Sequence, residues 1–247
     1  METSNGQLEG LRTQVRLLWV YATVISVVLA VMAVLLFSDR GGNHFRELSA
    51  EKINIVEKDG TVKLCLFNQE NLPVGVIDGV KLPRTGGASS GLMFYNTEGE
   101  ECGGLIYSSQ PENGHGNNSL SMTFDKYKQD QLVQLVSDPG GSGFGRKGLQ
   151  VNDRPAFPLS VTFHTMDSLQ KTYKTDTAGY QAALQKLAAQ GYFGAARLFV
   201  GQKENNTGLF INDSSGAKRL AIFVDADNHP KIIFYDKEGK PVHEMSF

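Results

Sequence analysis

Between Leu17 and Ser38 the chain reads LLWVYATVISVVLAVMAVLLFS without a single charged side chain. At about 1.5 Å per residue this run reaches roughly 33 Å, close to the roughly 30 Å hydrocarbon core of a bilayer. Arg16 closes it on one side and Asp39-Arg40 on the other, and Trp19, Tyr21 and Phe37 stand near its ends, where aromatic side chains favour the membrane interface. A cleaved signal peptide carries an apolar stretch of only about 7–15 residues followed by a small-x-small site, and this run is longer and lacks that site. A soluble helix needs one wet face, which an apolar circumference denies it. The expectation is a tail over 1–16, a transmembrane helix over 17–38 and a polar, Gly-containing connector over 39–51.

Orientation follows less directly. Arg12 and Arg16 precede the helix while Arg40, Arg46 and Lys52 follow it, so the positive-inside count favours neither side. A short tail before a first apolar segment behaves as a signal anchor, which predicts an extracytoplasmic C-terminal part.

The rest of the chain is ordinary globular material. Its formal net charge of −2 argues against the basic surface that phosphate neutralisation requires, so nucleic acid is not an expected partner. Two cysteines exclude a disulfide-dense scaffold and a four-thiolate zinc site. Cys65 and Cys102 leave open one bridge across neighbouring strands, with two free thiols as the alternative.

From Ile53 onward apolar residues recur with a period of two, as in Ile53/Ile55 and Val62/Leu64/Leu66, the pattern of strands with one buried face. IVEKDG (55–60), FYNTEG (94–99), INDSSG (211–216) and FYDKEG (234–239) share one form: an apolar strand end, a polar turn and glycine. Asn or Asp can cap the turn's own backbone and Gly can take positive φ where the next strand starts, so these are hairpin tips. Calcium loops would need a longer acidic run and a distant Glu. The tips are irregularly spaced, which disfavours a solenoid or propeller. The fold class is mainly β: an antiparallel meander or sandwich-like domain behind a transmembrane helix. It comprises a β-rich region over 52–165, an inserted helical segment over 166–191, and a C-terminal meander over 192–247. The helix rests on Tyr180, Ala183, Leu184 and Leu187 at helical spacing before Gly191.

Motifs for chemistry do not survive their context. GASSG (87–91) has the nucleophile-elbow spacing, but strand-like LMFY follows where a helix should begin. GFGRKG (143–148) fits a dinucleotide fingerprint yet leads into LQVNDRP, so a loop between Ser137 and Lys147 is expected. Ser168/Lys171 and Ser215/Lys218 have Ser-x-x-Lys spacing without partner motifs. Asp225, Asp227 and His229 could face one ion but read better as a turn before Pro230; His44, His115, His164 and His243 show no ligand spacing. Sequons at Asn117, Asn205 and Asn212 match chance. No catalytic, cofactor-binding or metal residue is therefore assigned, and no cofactor is expected.

GLMFYNTEGEECGGLIYSS (91–109) and SLSMTFDKYKQDQLVQL (119–135) resemble a family of uncharacterised bacterial single-span, membrane-anchored β-rich proteins. The resemblance covers most of residues 50–155 and extends more weakly into the last strands. It implies a bacterial envelope location, carries no activity, and implies a polar residue at position 102, which counts against the bridge. The expected role is structural or protein-interacting, through a protein partner or a homo-oligomer, in addition to the bilayer contact of residues 17–38. The rival expectations are a small-molecule or glycan groove lined by Tyr95, Tyr107 and Tyr127, and an envelope hydrolase using Asp125 with Asp130 or the Asp225 cluster.

Overall fold

The structure is a computed structural model that describes residues 2–38, 45–82, 89–112, 115–138 and 145–246. The chain divides into two units, 1–49 and 50–247. In the first, helix α1 (Glu2–Ser38) contains the apolar run and also most of the stretch expected as a separate tail. Its Gly10–Leu35 part is long and apolar enough to cross a membrane. Along it, Thr23 donates to the Trp19 carbonyl at 2.6 Å, so its hydroxyl is satisfied without water.

The second unit is mainly β. Strands β1 (Lys52–Val56) and β2 (Val62–Phe67) come first, followed by a small hairpin of β3 (Gly75–Ile77) and β4 (Val80–Leu82). Then come β5 (Ser90–Tyr95), β6 (Glu101–Glu112), β7 (His115–Asp125), β8 (Gln131–Asp138) and β9 (Arg146–Asp153). After two helices the chain returns as β10 (Ala195–Lys203), β11 (Asn206–Asn212), β12 (Lys218–Val224), β13 (Pro230–Tyr235) and β14 (Pro241–Ser246). Twelve of these strands, all but β3 and β4, form one antiparallel sheet in sequence order, with β1 and β14 at its edges. Most neighbours in this sheet are joined by short turns, as a meander requires, while the β3–β4 hairpin intervenes between β2 and β5 and the two helices between β9 and β10.

All four expected tips are turns. In each, the first residue's N–H donates to the fifth residue's carbonyl and the fourth residue's N–H returns to the first, as in Asp236 N to Lys240 O (2.9 Å) and Gly239 N to Asp236 O (3.1 Å). Gly60, Gly99, Gly216 and Gly239 take φ between +76° and +90°, a conformation that costs glycine nothing. A fifth turn of the same form, Asp225–His229, uses Asn228 at φ +65° instead of glycine. Asn96, Asp213, Asp225 and Asp236 each accept backbone N–H bonds through Oδ1, the capping role expected of them.

Two expectations change. The 52–165 region is not β throughout, because helix α2 (Leu159–Thr172) begins inside it; with α3 (Thr177–Ala189) the insertion holds two helices rather than one. The loop expected over Ser137–Lys147 narrows: β8 runs to Asp138 and β9 starts at Arg146, while 139–144 lie outside the described residues.

Candidate interaction face

Residues directly opposite in an antiparallel ladder point to the same side of a sheet, so the register sorts every strand position onto one of two faces. One row crosses all twelve strands as Ile53, Leu66, Leu92, Leu105, Met122, Leu135, Leu149, Val200, Leu209, Ile222, Ile232 and Met245. It is aliphatic from edge to edge. Two residues along, on the same face, runs Ile55, Leu64, Phe94, Gly103, Phe124, Val133, Val151, Leu198, Ile211, Leu220, Phe234 and His243. Only Gly103 and His243 interrupt it, and Phe94 and Phe124 stack across Gly103 with ring centroids 6.5 Å apart.

The opposite face is mixed. Its rows carry Cys65, Met93, Phe199, Ala221 and Ile233, but also Thr123, Gln134, Gln150, Ser121, Lys231 and the glycines Gly91, Gly104, Gly148, Gly201 and Gly208. Several of these glycines sit where strands approach closely: a Cβ on Gly201, at φ +148°, would fall within contact distance of the Lys147 carbonyl oxygen.

Burial is inverted relative to composition. Nine apolar side chains are buried among the described residues, and seven of them, Cys65, Phe67, Met93, Val136, Phe199, Ala221 and Ile233, lie on the mixed face. None lies on the aliphatic face, where Leu135 is 48% exposed and Phe124 51%. The β3–β4 segment explains part of this: Leu72, in the loop before β3, packs on the Cys65–Phe67–Met93 cluster, and the Gly79 N–H donates to Glu100 Oε1 at 3.0 Å. Elsewhere on that face the rings cover their own strands. Phe210 lies 6.2 Å from Phe199 and 5.9 Å from Phe223, and the Lys203 ammonium sits 4.1 Å above Phe210, where burial holds its pKa below the usual lysine value.

A second feature is a polar clamp at the tip joining β7 to β8. Lys128, at φ +53°, lies 3.0 Å from Asp78 in the β3–β4 turn and 3.5 Å from Glu98 at the β5–β6 tip. Ser160 of α2 donates to the same Asp78 carboxylate, and Tyr127 donates to Glu98 at 2.7 Å. The Ser160 hydroxyl and the Lys128 ammonium hold the Asp78 carboxyl below its ordinary range, and Asp78 in turn is the main reason the Lys128 ammonium is held above its own. Four segments meet here, so the clamp fixes the small hairpin and α2 to the sheet's tips.

Of the residues singled out from sequence, the cysteines and the tyrosines separate in space, whereas Asp125 and Asp130 stay close enough for their charges to interact. Cys65 and Cys102 are free thiols: β5 stands between their strands, a separation of roughly 9–10 Å at two strand spacings, beyond what a disulfide spans. Tyr95 packs on the Cys65 cluster, Tyr107 faces the other side of the sheet, and Tyr127 belongs to the clamp, so the three line no common groove. Asp130 pairs with Arg154 at 3.1 Å. Asp125 has one carboxylate oxygen without a partner, and burial together with the Glu101 and Asp130 charges pushes its pKa up to about 7.

Asp225, Asp227 and His229 do bring ligand atoms within 4.8 Å of one another. The Asp225 carboxylate is already occupied, however, by the turn's N–H groups and by Lys231 at 2.9 Å, which together lower its pKa to about 2. Ser168 and Lys171 lie on α2, where Lys171 pairs with Asp167, and Ser215 caps a turn with Asp213. Of GASSG, Gly87 and Ala88 lie outside the described residues, and Ser90–Gly91 begin β5.

A cleft of about 450 Å³ lies beside Arg146, Gln150, Phe199, Lys203, Phe210 and Asn212, a set that the sequence reading did not single out. The aliphatic face was missed as well, although the period-two pattern contained it; the signal that was needed is the register across all strands, which no single strand carries. Comparison with protein-family models, with curated proteins and with solved structures returned no match.

Proposed function

We propose that this chain is a membrane-anchored structural protein of a bacterial envelope, whose extracytoplasmic β domain works by protein contact and not by catalysis. The observation that carries the reading is the edge-to-edge aliphatic face left open to solvent. Exposed apolar patches of this breadth on a folded domain mark interaction surfaces. The uncharged stretch of α1, residues 17–38, supports the anchor, since at about 1.5 Å per residue it reaches roughly 33 Å, enough for a roughly 30 Å hydrocarbon core.

Two measurements test it. Full-length protein purified from membranes and analysed by native mass spectrometry is expected as a complex; a lone monomer with nothing bound refutes the contact role. For topology, Lys237→Cys places a thiol on an exposed tip, whereas native Cys65 is 1% exposed and a poor reporter. Labelling of the new thiol by an impermeant reagent in intact cells is expected, and protection until lysis reverses the orientation.

The cleft beside Arg146 and Lys203, which Asp138 and Glu204 also line, favours a second reading, a sugar ligand held between these polar groups and the rings of Phe199 and Phe210. Lys203→Met would then abolish binding in a ligand screen, and a screen without hits at either chain removes this reading.

A further inference from the structure

The aliphatic face has a width and a chemistry that together specify what covers it. We infer that a second copy of this chain packs its own aliphatic face against the first, so that two single-layer sheets become the two layers of a sandwich. The inference rests on the contact role proposed above and names the partner.

Three observations carry it. The face spans twelve strands, roughly 55 Å at about 4.8 Å per strand, and a sheet is covered along such a width only by another broad layer. Among the described residues the other sheet has two strands, and Leu72, in the loop that leads into its hairpin, packs on the buried cluster of Cys65 and Met93 on the opposite face. The second observation is area. Two rows about 13 Å deep across that width give roughly 700 Å² per copy and about 1,400 Å² in all, inside the about 1,200–2,000 Å² range of stable interfaces.

The third is chemistry. His243, at the last strand, is the one ionisable side chain in the two rows, so the band offers no charge pattern to select a different protein. The row bordering it turns polar at Ser137, Lys147, Gln202 and Thr207, the apolar centre and wet margin of an association surface. A face that is uniform from edge to edge is complementary to itself, as a two-fold contact demands. Sheets packed this way cross at about 30° and sit about 10 Å apart, so large aliphatic side chains such as Leu135 and Ile222 can interdigitate.

The experiment uses the full chain in membranes of the expressing cell. A photo-crosslinking amino acid replaces either Leu135, on the aliphatic face, or Gln134, its neighbour in sequence on the other face. With two differently tagged copies co-expressed, illumination at position 135 is expected to give a mixed-tag dimer. Its yield should exceed that at position 134 by about tenfold or more, because the two side chains leave the strand in opposite directions. Adducts at 135 only to another protein overturn the self-pairing and leave the contact role standing. Adducts only to lipid, or none, overturn both. Equal self-adducts at 134 and 135 overturn the assignment of this face. The substitution Ile222→Glu, made in the chain carrying the probe at 135, is expected to lose the mixed-tag product; its persistence also counts against the inference.

Discussion

The two faces of the sheet are built from the same strands, yet they behave as opposites. The mixed face, with its glycines, glutamines and serines, contains the buried core; the aliphatic face, richer in Leu, Ile and Val, is open. Alternation in a strand records that its two sides differ, but it does not say which side the chain itself covers. Covering is decided elsewhere, here by Leu72 in the loop before the β3–β4 hairpin and by the rings of Phe199, Phe210 and Phe223, which lie over their own strands. The comparison breaks most sharply at Met93 and Leu135. Met93 is 0% exposed, so Met93→Ala is expected to cost about 2–5 kcal/mol in chemical denaturation. Leu135→Ala leaves the fold of a single copy within about 1 kcal/mol of the parent and acts on association. Equal losses of fold stability in the two variants would mean that the faces are equally buried.

The next largest effect is electrostatic and belongs to the mixed face, where Asp125 follows two residues after Thr123. Its carboxyl titrates near 7 in the folded chain against an ordinary value of 3.8. The folded state therefore binds more protons than the unfolded state between those values, so stability falls as pH rises from about 4 to about 7 and is flat above. The full span corresponds to on the order of 4 kcal/mol at 1.4 kcal/mol per unit. Asp125→Asn removes this slope and raises the denaturation midpoint at pH 8. An unchanged slope would place the titrating proton on another group.

Gly201 and Val200 sharpen the contrast at smaller scale, because they are neighbours that leave the strand on opposite sides. Gly201→Ala forces a Cβ toward the Lys147 carbonyl at a φ of +148° that alanine avoids, at an expected cost of about 1–3 kcal/mol. Val200→Ala, at a side chain 43% exposed, is expected to cost less than about 1 kcal/mol in the single chain. Thermal melts of the two variants decide the order, and a larger loss at Val200 would reverse it.

Much of this architecture was legible in the string. Turn chemistry is local, so Asn96, Asp213 and Asp236 with their glycines announced the hairpins, and the meander followed from their short connections. The start of helix α2, ahead of the helical segment expected from residue 166, was not legible because its sequence, LSVTFHT, has the β-branched composition of a strand. Its position depends on distant partners: the Leu159 N–H donates to the Lys128 carbonyl at 2.8 Å, Ser160 bonds Asp78, and Phe157 packs on Tyr192 at 5.0 Å. Tertiary bonds of that kind override propensity. The candidate face was illegible for a different reason: each strand contributes two or three apolar residues that look ordinary, and only the register aligns Ile53 with Met245 through ten intervening strands.

The smallest expected effect asks what keeps the mixed face covered. Lys128 joins Asp78 of the β3–β4 turn to the sheet's tip, and Ile77, next to Asp78, is itself 6% exposed. Lys128→Met keeps the length of the stem while removing the charge that pairs with Asp78 and Glu98. The hairpin should then open more often as a local unit, without global unfolding. Cys65 reports that opening: it is buried at 1%, its thiol is held above its ordinary pKa by desolvation, and Leu72 lies against its cluster. Its modification by a small thiol reagent is expected to accelerate several-fold in Lys128→Met, the scale of a modest change in a local opening equilibrium. Crosslinking from position 135 stays as in the parent, because that side chain faces the other way. A Cys65 rate equal to the parent's would show that apolar packing of Leu72 and Ile77 alone keeps the hairpin down, whereas a loss of crosslinking at 135 would show that the two faces are coupled.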